Sequence, residues 1–476
     1  MSNHNKTIAV IGGGSAGFTA ARTAARLGAR VLFFMGDDAD EASLCVNFGC
    51  MPSKAMFVPI DTMHHAKRHG WLRVEPLRPE AYLSQIVAWK DREIARFRAF
   101  RQAAITSKQA EDFLVVRSNA TFVSANAIEA DGETHAFDGA IIATGSKVRY
   151  PPIEGLDDLR DDIWTSRELL ANTTLPESLT VIGAGFIGLE FAQRYARLGS
   201  AVTVIARSRF LSSAAAEFGE RLVKIYEREG IRVLLQHTPQ RIYRDPEGLF
   251  VVQATGPRRT VPVVGERVLL AAGRSPSVGS LNLEAAGIHT NADGGLDVGE
   301  DMRIAGQDHI FAAGDVIGHR MVVHLAHIEA GIAARNAVND DSFAWERRAN
   351  INVLFTDPEF AFAGLSADEA RRAGHKVVVA SRESHLVGKL HLAGDDMGFG
   401  AFVADADTHV LLGAGLLCDS AGELIHLPAY LIEHQETAHA GSMAEYYHPT
   451  KTEIVGGIID ELCAKFGEIA PRRADE

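Results

Sequence analysis

The chain has 476 residues, of which 46% are hydrophobic and 23% charged, and its formal net charge at pH 7 is −13. This length predicts three or four domains, and the acidic balance argues against nucleic acid and anionic membrane surfaces as partners. No apolar run is long enough to span a bilayer, and the short polar start is unlike a signal peptide. With only four cysteines, the composition predicts a cytoplasmic protein in which a disulfide would be catalytic rather than structural.

The chain opens with the pattern of a dinucleotide-binding unit. Residues 7–11 are an apolar run that predicts a buried parallel strand, residues 18–27 predict a helix, and residues 30–35 predict a second strand. The turn between the first strand and the helix is in G-x-G-x-x-G register, which lets backbone approach a pyrophosphate at the helix N-terminus. The predicted nucleotide-binding residues of this turn are Gly12, Gly14, Ser15 and Gly17.

One position departs from that pattern. An acid normally ends the second strand and accepts a ribose hydroxyl, but Met35 stands there. Asp37 or Asp38, just beyond, either replaces the acid or is a solvated loop charge, and the sequence leaves both interpretations open.

The next segment carries two cysteines five positions apart, Cys45 and Cys50, followed by Pro52 and Lys54. In the first turn of a helix such a pair could close a small disulfide ring, and the helix N-terminus would favour a thiolate. Pro52 suits a helix start because its missing N–H costs nothing there. The alternative is two structural cysteines at a chance spacing.

Further helices and strands lead to a predicted linker. A small-residue turn with Thr144 and Gly145 follows the predicted strand 139–143 and would let backbone pass close to a nucleotide. Residues 150–152, Tyr-Pro-Pro, mark a domain boundary. Between the cysteines and this turn the pattern predicts helices over 55–67 and 79–108 and a strand pair within 113–130.

The strand–glycine turn–helix pattern then repeats. A strand at 179–182 and a helix ending at Leu198 enclose Gly183, Gly185 and Gly188, and a strand at 201–205 follows. Two units indicate either two nucleotides or one nucleotide and a duplicated scaffold, and the cysteine pair beside the first unit favours two nucleotides.

The end of the second strand of this repeat bears on the nucleotide. An acid there would accept the ribose hydroxyl of NAD, whereas Ala206 is followed by Arg207 and Arg209. Guanidinium groups pair with phosphate in bidentate fashion, so the sequence favours NADPH over NADH. The alternative is two solvated surface arginines.

The later chain adds a third region. Gly273 follows a strand at 268–271, and Asp315 follows a strand at 310–313, where its carboxylate could accept hydrogen bonds from sugar or ribitol hydroxyls. A helix at 325–336 begins near that site or merely packs on the sheet. From residue 350 onward, alternating strands and helices predict an antiparallel sheet with helices on one face.

A histidine near a C-terminus usually has no chemical role, but His448 has Glu453 five residues on, across Pro449, before a last helix. The chain can fold back there so that the carboxylate orients the imidazole as an acid–base.

Taken together, these motifs resemble those of the FAD-dependent pyridine nucleotide–disulfide oxidoreductases with a CxxxxC redox pair. The resemblance implies an α/β fold with two Rossmann-like domains, for FAD and NAD(P), and an α+β C-terminal dimerisation domain. The implied boundaries are 1–150 and 273–347 for the FAD-binding domain, 151–272 for the NAD(P)-binding domain, and 348–476 for the dimerisation domain.

The resemblance also implies roles. FAD lies on the first glycine turn and the nicotinamide nucleotide on the second, Cys50 is the flavin-proximal thiol, and Cys45 is the interchange thiol that meets substrate. His448, oriented by Glu453, comes from the partner subunit, so the protein is a homodimer. The remaining implied cofactor-binding residues include an ion pair of Lys54 with Glu190 beside the flavin; they are Lys54, Thr144, Gly145, Glu190, Gly273, Asp315 and Ala326.

This sequence departs from the family's usual motifs at positions expected to contact FAD and at positions that distinguish the subfamilies. Besides Met35, residues 42–44 lack the usual Gly-Gly-Thr, and Phe186 stands where glutathione reductases commonly have a tyrosine. The Cys-Met-Pro-Ser-Lys segment resembles that of dihydrolipoamide dehydrogenases. Those enzymes, however, typically have an NAD-selecting acid at the place where this chain has Ala206 and Arg207. A vicinal C-terminal cysteine pair, typical of mercuric reductases, is missing.

We therefore expect a dihydrolipoamide dehydrogenase-like enzyme, with any lipoyl group carried by a separate protein. The alternatives are an NADPH-dependent reductase of a glutathione-like or other small disulfide, with a mercuric reductase less favoured, and an FAD-binding protein without dithiol turnover.

Overall fold

The computed structural model describes residues 6–36, 44–68, 79–107, 112–212 and 214–468. Within these ranges the chain forms 22 strands and 14 α-helices. Asp37 and Asp38, proposed as substitutes for the missing acid, and residues 42 and 43 lie outside the described residues.

The first third of the chain contains the first glycine turn and the cysteine segment. Its elements, in chain order, are β1 (Thr7–Ile11), α1 (Ser15–Arg26), β2 (Arg30–Phe34), α2 (Leu44–Asn47), α3 (Cys50–Arg68), α4 (Leu83–Thr106), β3 (Phe113–Val116), β4 (Thr121–Ser124), β5 (Ala127–Ala130), β6 (Glu133–Ala136), β7 (Gly139–Ile142) and β8 (Ser146–Val148).

The second region contains the second glycine turn and extends to a long helix that ends at Asn339. These elements are α5 (Ser166–Ala171), β9 (Ser178–Ile182), α6 (Phe186–Leu198), β10 (Ala201–Ala206), α7 (Ala216–Arg228), β11 (Arg232–Leu235), β12 (Thr238–Arg244), β13 (Phe250–Thr255), β14 (Thr260–Gly265), β15 (Arg267–Leu270), β16 (Arg274–Pro276), β17 (Ile310–Ala312) and α8 (Val323–Asn339).

The last region alternates strands and helices. Its elements are β18 (Asn352–Leu354), β19 (Glu359–Gly364), α9 (Ala367–Arg372), β20 (Val377–Glu383), α10 (Gly388–Leu392), β21 (Phe399–Asp405), β22 (Leu411–Cys418), α11 (Ala421–Leu424), α12 (His426–Glu433), α13 (Ala438–Ser442) and α14 (Glu453–Lys465).

Two parallel sheets support the two glycine turns. The first has the order β17-β7-β1-β2-β3 and the second β11-β10-β9-β15. In each sheet the chain leaves the strand before the glycine turn toward one neighbour and later returns on the other side. The glycine turn therefore stands at the carboxyl end of a strand where the strand order reverses, which is where open α/β sheets bind ligands.

Helix α1 packs closely on α8. The buried residues Ala16, Ala20 and Ala24 recur every four positions on one face of α1, so small side chains alone cover that face. Because β17 joins the first sheet beside β7, a segment far along the chain completes the first nucleotide-binding unit. This matches the predicted return of the chain to that unit, although the exact domain boundaries stay predictions.

The C-terminal region is a mainly antiparallel unit, as predicted. Its sheet has the order β18-β19-β22-β21-β20, with every neighbour antiparallel. Helix α14 packs on β20 and β21, and α12 packs on β19 and β22. Apolar side chains of α3, of the second parallel sheet and of this antiparallel sheet share one buried cluster. The α/β fold with two Rossmann-like units and an α+β unit is confirmed.

Several local predictions were wrong. The range 113–130 holds three strands rather than one pair: β3 joins the first parallel sheet, while β4 pairs with β5, and β5 with β6, in a separate antiparallel sheet. The expected helix 79–108 begins with a 3-10 turn at Pro79–Tyr82 before α4. The two cysteines do not share one helix, because Cys45 lies on the short α2 and Cys50 begins α3.

Candidate functional site

The first glycine turn is built so that backbone, not side chains, faces the ligand space. Gly12 has a φ of +119°, a conformation that favours glycine, and a Cβ on Gly17 would collide with the carbonyl oxygen of Gly12. By contrast, the nearest atom to a Cβ on Gly14 would be 3.9 Å away. The middle glycine is thus not demanded by packing, which fits a turn that keeps its backbone open to a pyrophosphate at the start of α1.

The second glycine turn repeats this construction. Gly183 has a φ of +112°, and a Cβ on Gly188 would collide with the carbonyl oxygen of Gly183. A Cβ on Gly185 would meet no described atom within 4 Å. Helix α6 begins at Phe186, so its N-terminal N–H groups face the same open space. The two turns therefore fit two dinucleotides by the same steric argument.

The cysteine pair spans two helices, with Cys45 on α2 and Cys50 at the start of α3. Both cysteines are free thiols, Cys45 half-buried and Cys50 exposed. The thiol of Cys45 hydrogen-bonds to Cys50, and this bond, helped by the nearby Lys54, lowers the pKa of Cys50 to about 7. The same bond, together with burial, raises the pKa of Cys45. The pair therefore holds its proton on Cys45 and its negative charge on Cys50.

Three side chains fix the segment between the cysteines. The ring of Phe48 lies under the guanidinium of Arg167, with 3.9 Å from Cζ to the ring centroid, and its carbonyl accepts a hydrogen bond from Ser166 Oγ at 3.3 Å. The buried Asn47 accepts a hydrogen bond from Arg98 Nε at 2.6 Å. The geometry of the pair is thus set by α4 and α5 as well as by its own helices.

Lys54 and Glu190 form the predicted ion pair. Lys54 Nζ is 2.7 Å from Glu190 Oε2, and the Glu190 side chain is 7% exposed. The other carboxylate oxygen accepts the N–H of Phe355 at 3.0 Å, and the Lys54 ammonium lies 4.2 Å from the centroid of the Phe355 ring. This pair joins the cysteine helix α3 to α6 and to the antiparallel unit.

A cavity of about 1250 Å³ brings most predicted residues together. It is large enough for an extended cofactor and a substrate, since drug-sized ligands occupy about 300–1,000 Å³. It is lined by both cysteines, by Lys54 and Glu190, and by residues of both glycine turns. The other predicted residues in its wall are Thr144, Gly145, Gly273, Asp315 and Ala326.

At one end of this cavity, Asp315 is oriented by a short relay. Ser146 Oγ donates to Asp315 Oδ2 at 2.5 Å, and Arg274 Nε donates to Ser146 Oγ at 2.7 Å. A Cβ on the preceding Gly314 would lie 3.3 Å from Cβ of Ala326, so the start of α8 approaches this strand end closely. A carboxylate held in this way can accept hydrogen bonds from sugar or ribitol hydroxyls. The sequence analysis missed Ser146 and Arg274.

The two positions at which such units normally select the ribose, after β2 and after β10, differ in their surroundings. Met35, after β2, is 8% exposed, and it lines the cavity beside the first turn. After β10, Arg207 is exposed and has no hydrogen bond or ion pair with a described residue. Arg209 Nη2 instead donates to the carbonyls of Ser212, at 3.0 Å, and Ala214, at 2.9 Å. Arg207 is thus the freer of the two arginines to meet a phosphate.

His448 and Glu453 meet, but outside the cavity of their own chain. Nδ1 of His448 is 3.0 Å from Glu453 Oε2, while Glu453 Oε1 accepts the N–H of Thr450 at 2.7 Å. The imidazole is 80% exposed, and neither residue lines the cavity. The carboxylate therefore orients an imidazole that is largely exposed to solvent.

The described residues hold no group of three or more histidine, cysteine, aspartate or glutamate side chains arranged to bind a metal ion. In the same part of the chain, no helix combines the length and the apolar character that crossing a membrane requires.

Comparisons with known proteins agree with this geometry. Residues 6–330 match the family model described as pyridine nucleotide-disulphide oxidoreductase, and residues 351–457 match the dimerisation domain of the same family. The chain is 32% identical over 450 residues to a dihydrolipoyl dehydrogenase of Thermus scotoductus, covering 94% of this chain and 95% of that protein.

It is also 30% identical over 460 residues to a mercuric reductase of Bacillus cereus, covering 95% of this chain and 70% of that protein. Among solved structures, LpdA of Mycobacterium tuberculosis superposes with a TM-score of 0.83 at 23% identity, covering 96% of this chain and 99% of that one.

Proposed function

The chain belongs to the pyridine nucleotide-disulphide oxidoreductases, which depend on FAD and use NAD(P)H, and we propose that it exchanges electrons with a small disulfide or dithiol through Cys45 and Cys50. One observation carries the proposal. The cysteine pair, with its charge favoured on Cys50, lines the same cavity as both glycine turns.

The residues around this cavity suit both cofactors. The first glycine turn and Asp315 would hold FAD, and the second turn with Arg207 would hold the nicotinamide nucleotide. FAD supplies the acceptor for hydride from NAD(P)H and the electron pair that reduces the cysteine disulfide. Lys54 keeps positive charge beside Cys50, and Glu190 fixes the position of that ammonium group.

The thiol chemistry then follows from the two pKa shifts. In the reducing direction, the sulfur of Cys45 loses its proton and attacks one sulfur of the substrate disulfide. A mixed disulfide forms, the substrate S–S bond breaks, and the released thiolate takes up a proton. The Cys50 thiolate next attacks the sulfur of Cys45, which closes the Cys45–Cys50 bond, breaks the mixed disulfide and releases the second substrate sulfur as a thiolate that takes up a proton.

The base in this scheme is His448 of a second copy of the chain. The imidazole is exposed and lies outside the cavity of its own chain, while Glu453 orients it. A homodimer in which each chain lends His448 to the other would complete both sites. The dimerisation domain at 351–457 supports this arrangement.

For the substrate, we favour lipoamide or dihydrolipoamide, with a lipoyl group carried on another protein. The similarity to a dihydrolipoyl dehydrogenase over 94% of the chain supports this choice. The second candidate is an NADPH-dependent reductase of another small disulfide. It is supported by Arg207, which is exposed at the end of β10 where an acid would select NAD.

Steady-state turnover of the purified FAD-loaded protein decides between these functions. Lipoamide, glutathione disulfide and mercuric ion are each tested with NADH and NADPH, with Cys45→Ser as the matched control. We expect the fastest turnover with lipoamide and its loss in the control. Turnover only with NADPH and glutathione disulfide would favour the second candidate. Turnover of no substrate with either nucleotide would indicate an FAD-binding protein without dithiol chemistry.

A further inference from the structure

The loop that carries His448 is exposed around the imidazole. It covers residues 443–452, between α13 and α14, and Tyr447, His448 and Pro449 are all exposed. Burial therefore does little to fix the ring, although a base must lie within hydrogen-bond reach of the proton that it moves. The position of the ring must then come from contacts made elsewhere in the loop.

Glu453 makes the first of these contacts. One of its carboxylate oxygens lies 3.0 Å from Nδ1 of His448, and the other accepts the N–H of Thr450 at 2.7 Å. Both contacts join the loop to the first residue of α14, so they set the direction of the ring relative to that helix. Neither of them joins the loop to another segment of the chain.

Lys451 makes that connection. Its Nζ lies 2.8 Å from Asp419 Oδ2 and donates to Ser420 Oγ at 2.8 Å. Ser420 Oγ in turn donates to the other oxygen of Asp419 at 2.9 Å, so the three side chains form a closed set. Residues 419 and 420 connect β22 to α11. One ammonium group thus attaches the loop to the end of a central strand of the antiparallel sheet.

The partner of Lys451 is itself fixed. The N–H of Asp419 donates to Asp395 Oδ2 at 2.9 Å, and the N–H of Gly398 donates to Asp395 Oδ1 at 3.1 Å. Asp395 is 7% exposed. These bonds hold the backbone of Asp419 beside the start of β21, so its carboxylate offers Lys451 a fixed position in space.

The exposure of this ion pair separates its effect on folding from its effect on chemistry. The side chains of Lys451 and Asp419 are 28% and 42% exposed, and pairs of that exposure add little to folding stability. A catalytic group displaced by about 1 Å, by contrast, can lose about 100-fold in rate. Loss of the pair should therefore leave the fold intact and still be visible in turnover.

We infer that Lys451 is a positioning residue, whose ion pair with Asp419 holds the loop so that His448 reaches the cysteine pair of the partner subunit. The inference rests on the proposed function, in which His448 is the base. Lys451 acts through the loop, because its ammonium group contacts Asp419 and Ser420.

Steady-state kinetics of the FAD-loaded protein test the inference with the disulfide that the parent reduces fastest. We expect Lys451→Met to lower kcat about 10-fold, because a displaced base loses part of its contribution of about 100-fold. Lys451→Arg keeps the ion pair and should retain most of the turnover. Oxidation of NAD(P)H with ferricyanide, which takes electrons from the flavin without the base, should stay at the parent rate. A merely structural role would lower both rates together.

Two combined variants separate positioning from a general effect on the enzyme. In a His448→Gln background, Lys451→Met should lower kcat no further, since the loop then positions no base. Asp419→Asn should lower kcat as much as Lys451→Met does, and the variant with both changes should be no slower than either single variant. A further loss in the His448→Gln background, or multiplied effects of the Lys451 and Asp419 changes, would overturn the inference.

Lys376→Met is the matched control, because Lys376 directly precedes β20 of the same unit and its pair with Asp407 is exposed. It should change neither rate. Hydrogen–deuterium exchange of the peptide that covers residues 443–452 needs no substrate and should be faster in Lys451→Met but not in the control. Unchanged exchange in Lys451→Met would overturn the anchoring role. A parent that reduces no disulfide would contradict the proposed function, and the exchange comparison would still decide whether Lys451 holds the loop.

Discussion

At the scale of single residues, one proton decides how the cysteine pair works. It stays on the half-buried Cys45, which donates to Cys50 and is therefore a poor nucleophile until a base removes the proton. Lys54 lowers the pKa of both thiols, so the difference between their pKa values comes mainly from the hydrogen bond between them. The two thiols therefore differ in pKa because their surroundings differ, although both are cysteine side chains.

Replacing Cys45 separates its chemical role from its hydrogen bond. Cys45→Ser and Cys45→Ala should both abolish disulfide turnover. The serine hydroxyl can still donate to Cys50, whereas alanine cannot, so we expect the pKa of Cys50 to rise from about 7 toward 9.0 in the alanine variant alone. Less Cys50 thiolate should then exist at neutral pH, as measured by ultraviolet thiolate absorption. Cys463→Ala, at a buried cysteine, is the control; turnover at the parent rate in either Cys45 variant would refute the assignment.

Arg207 offers a second test at this scale. We expect Arg207→Glu to lower kcat/KM for NADPH at least 10-fold and to shift preference toward NADH, because a carboxylate repels the 2′-phosphate and accepts a ribose hydroxyl. Arg232→Glu makes the same charge change on the adjacent strand β11, at the opposite end of the β10–β11 pairing, and should leave the ratio of the two constants unaltered. An unchanged ratio in Arg207→Glu would make Arg207 a surface charge.

At the scale of elements, the cysteine helix is fixed by ionic contacts to α6. Asp61 of α3 lies 2.6 Å from Arg194 and 2.7 Å from Arg197, both on α6. Arg197 also pairs with Glu229 and with Asp357 of the antiparallel unit, each at 2.7 Å, and its side chain is 3% exposed. These partners raise the pKa of Arg197 despite its burial. Three regions of the chain thus share one buried cation.

Removing that cation should lower the stability of the folded protein. Arg197→Met leaves Asp61, Glu229 and Asp357 close together without their common partner, and we expect the free energy of unfolding to fall by about 3–5 kcal/mol. Arg371→Met removes an arginine whose pair with Asp368 is exposed, and it should change that free energy by no more than about 0.5 kcal/mol. Urea unfolding, monitored by circular dichroism, compares the free energies of unfolding of the two variants. Equal effects would mean that the cluster adds no stability beyond a surface pair.

At the scale of the whole molecule, the proposed catalytic residues lie in two separate places. The cysteines line the central cavity, whereas His448 is exposed on the antiparallel unit and outside that cavity. Large apolar side chains nearby, including Tyr447 and Met443, are also exposed, at 77% and 63%. An exposed apolar surface around an oriented imidazole fits contact with a second copy of the chain.

Mixing two inactive variants tests this arrangement. In a heterodimer of Cys45→Ser and His448→Gln chains, one site would combine an intact Cys45 with an intact His448 and the other would have neither. We therefore expect each variant alone to lose activity, about 100-fold for His448→Gln, and co-expression of the two chains to restore a substantial fraction. If His448 served its own chain, no mixture would regain activity. Cys45→Ser paired with Cys45→Ala is the control that cannot complement.

Much of the fold and part of the site were predictable because they depend on local spacing. The strand–glycine turn–helix units were recognised from a few adjacent residues, and both turns have the positive φ and close approaches that only glycine permits. The small antiparallel sheet of β4, β5 and β6 and the separate helices of Cys45 and Cys50 were not predicted. Their short apolar runs suit more than one partner, and only packing selects among them.

By itself, the sequence determined the two nucleotide-binding units and the cysteine pair, since each is encoded within about 30 neighbouring residues. The order of these motifs along the chain indicated the family. Only the tertiary structure decided which distant groups set their chemistry. It brings Arg274 to Ser146 across 128 positions and Arg101 to Gly14 across 87. Spacing along the chain carries no information on such contacts, because they arise from the packing of whole elements.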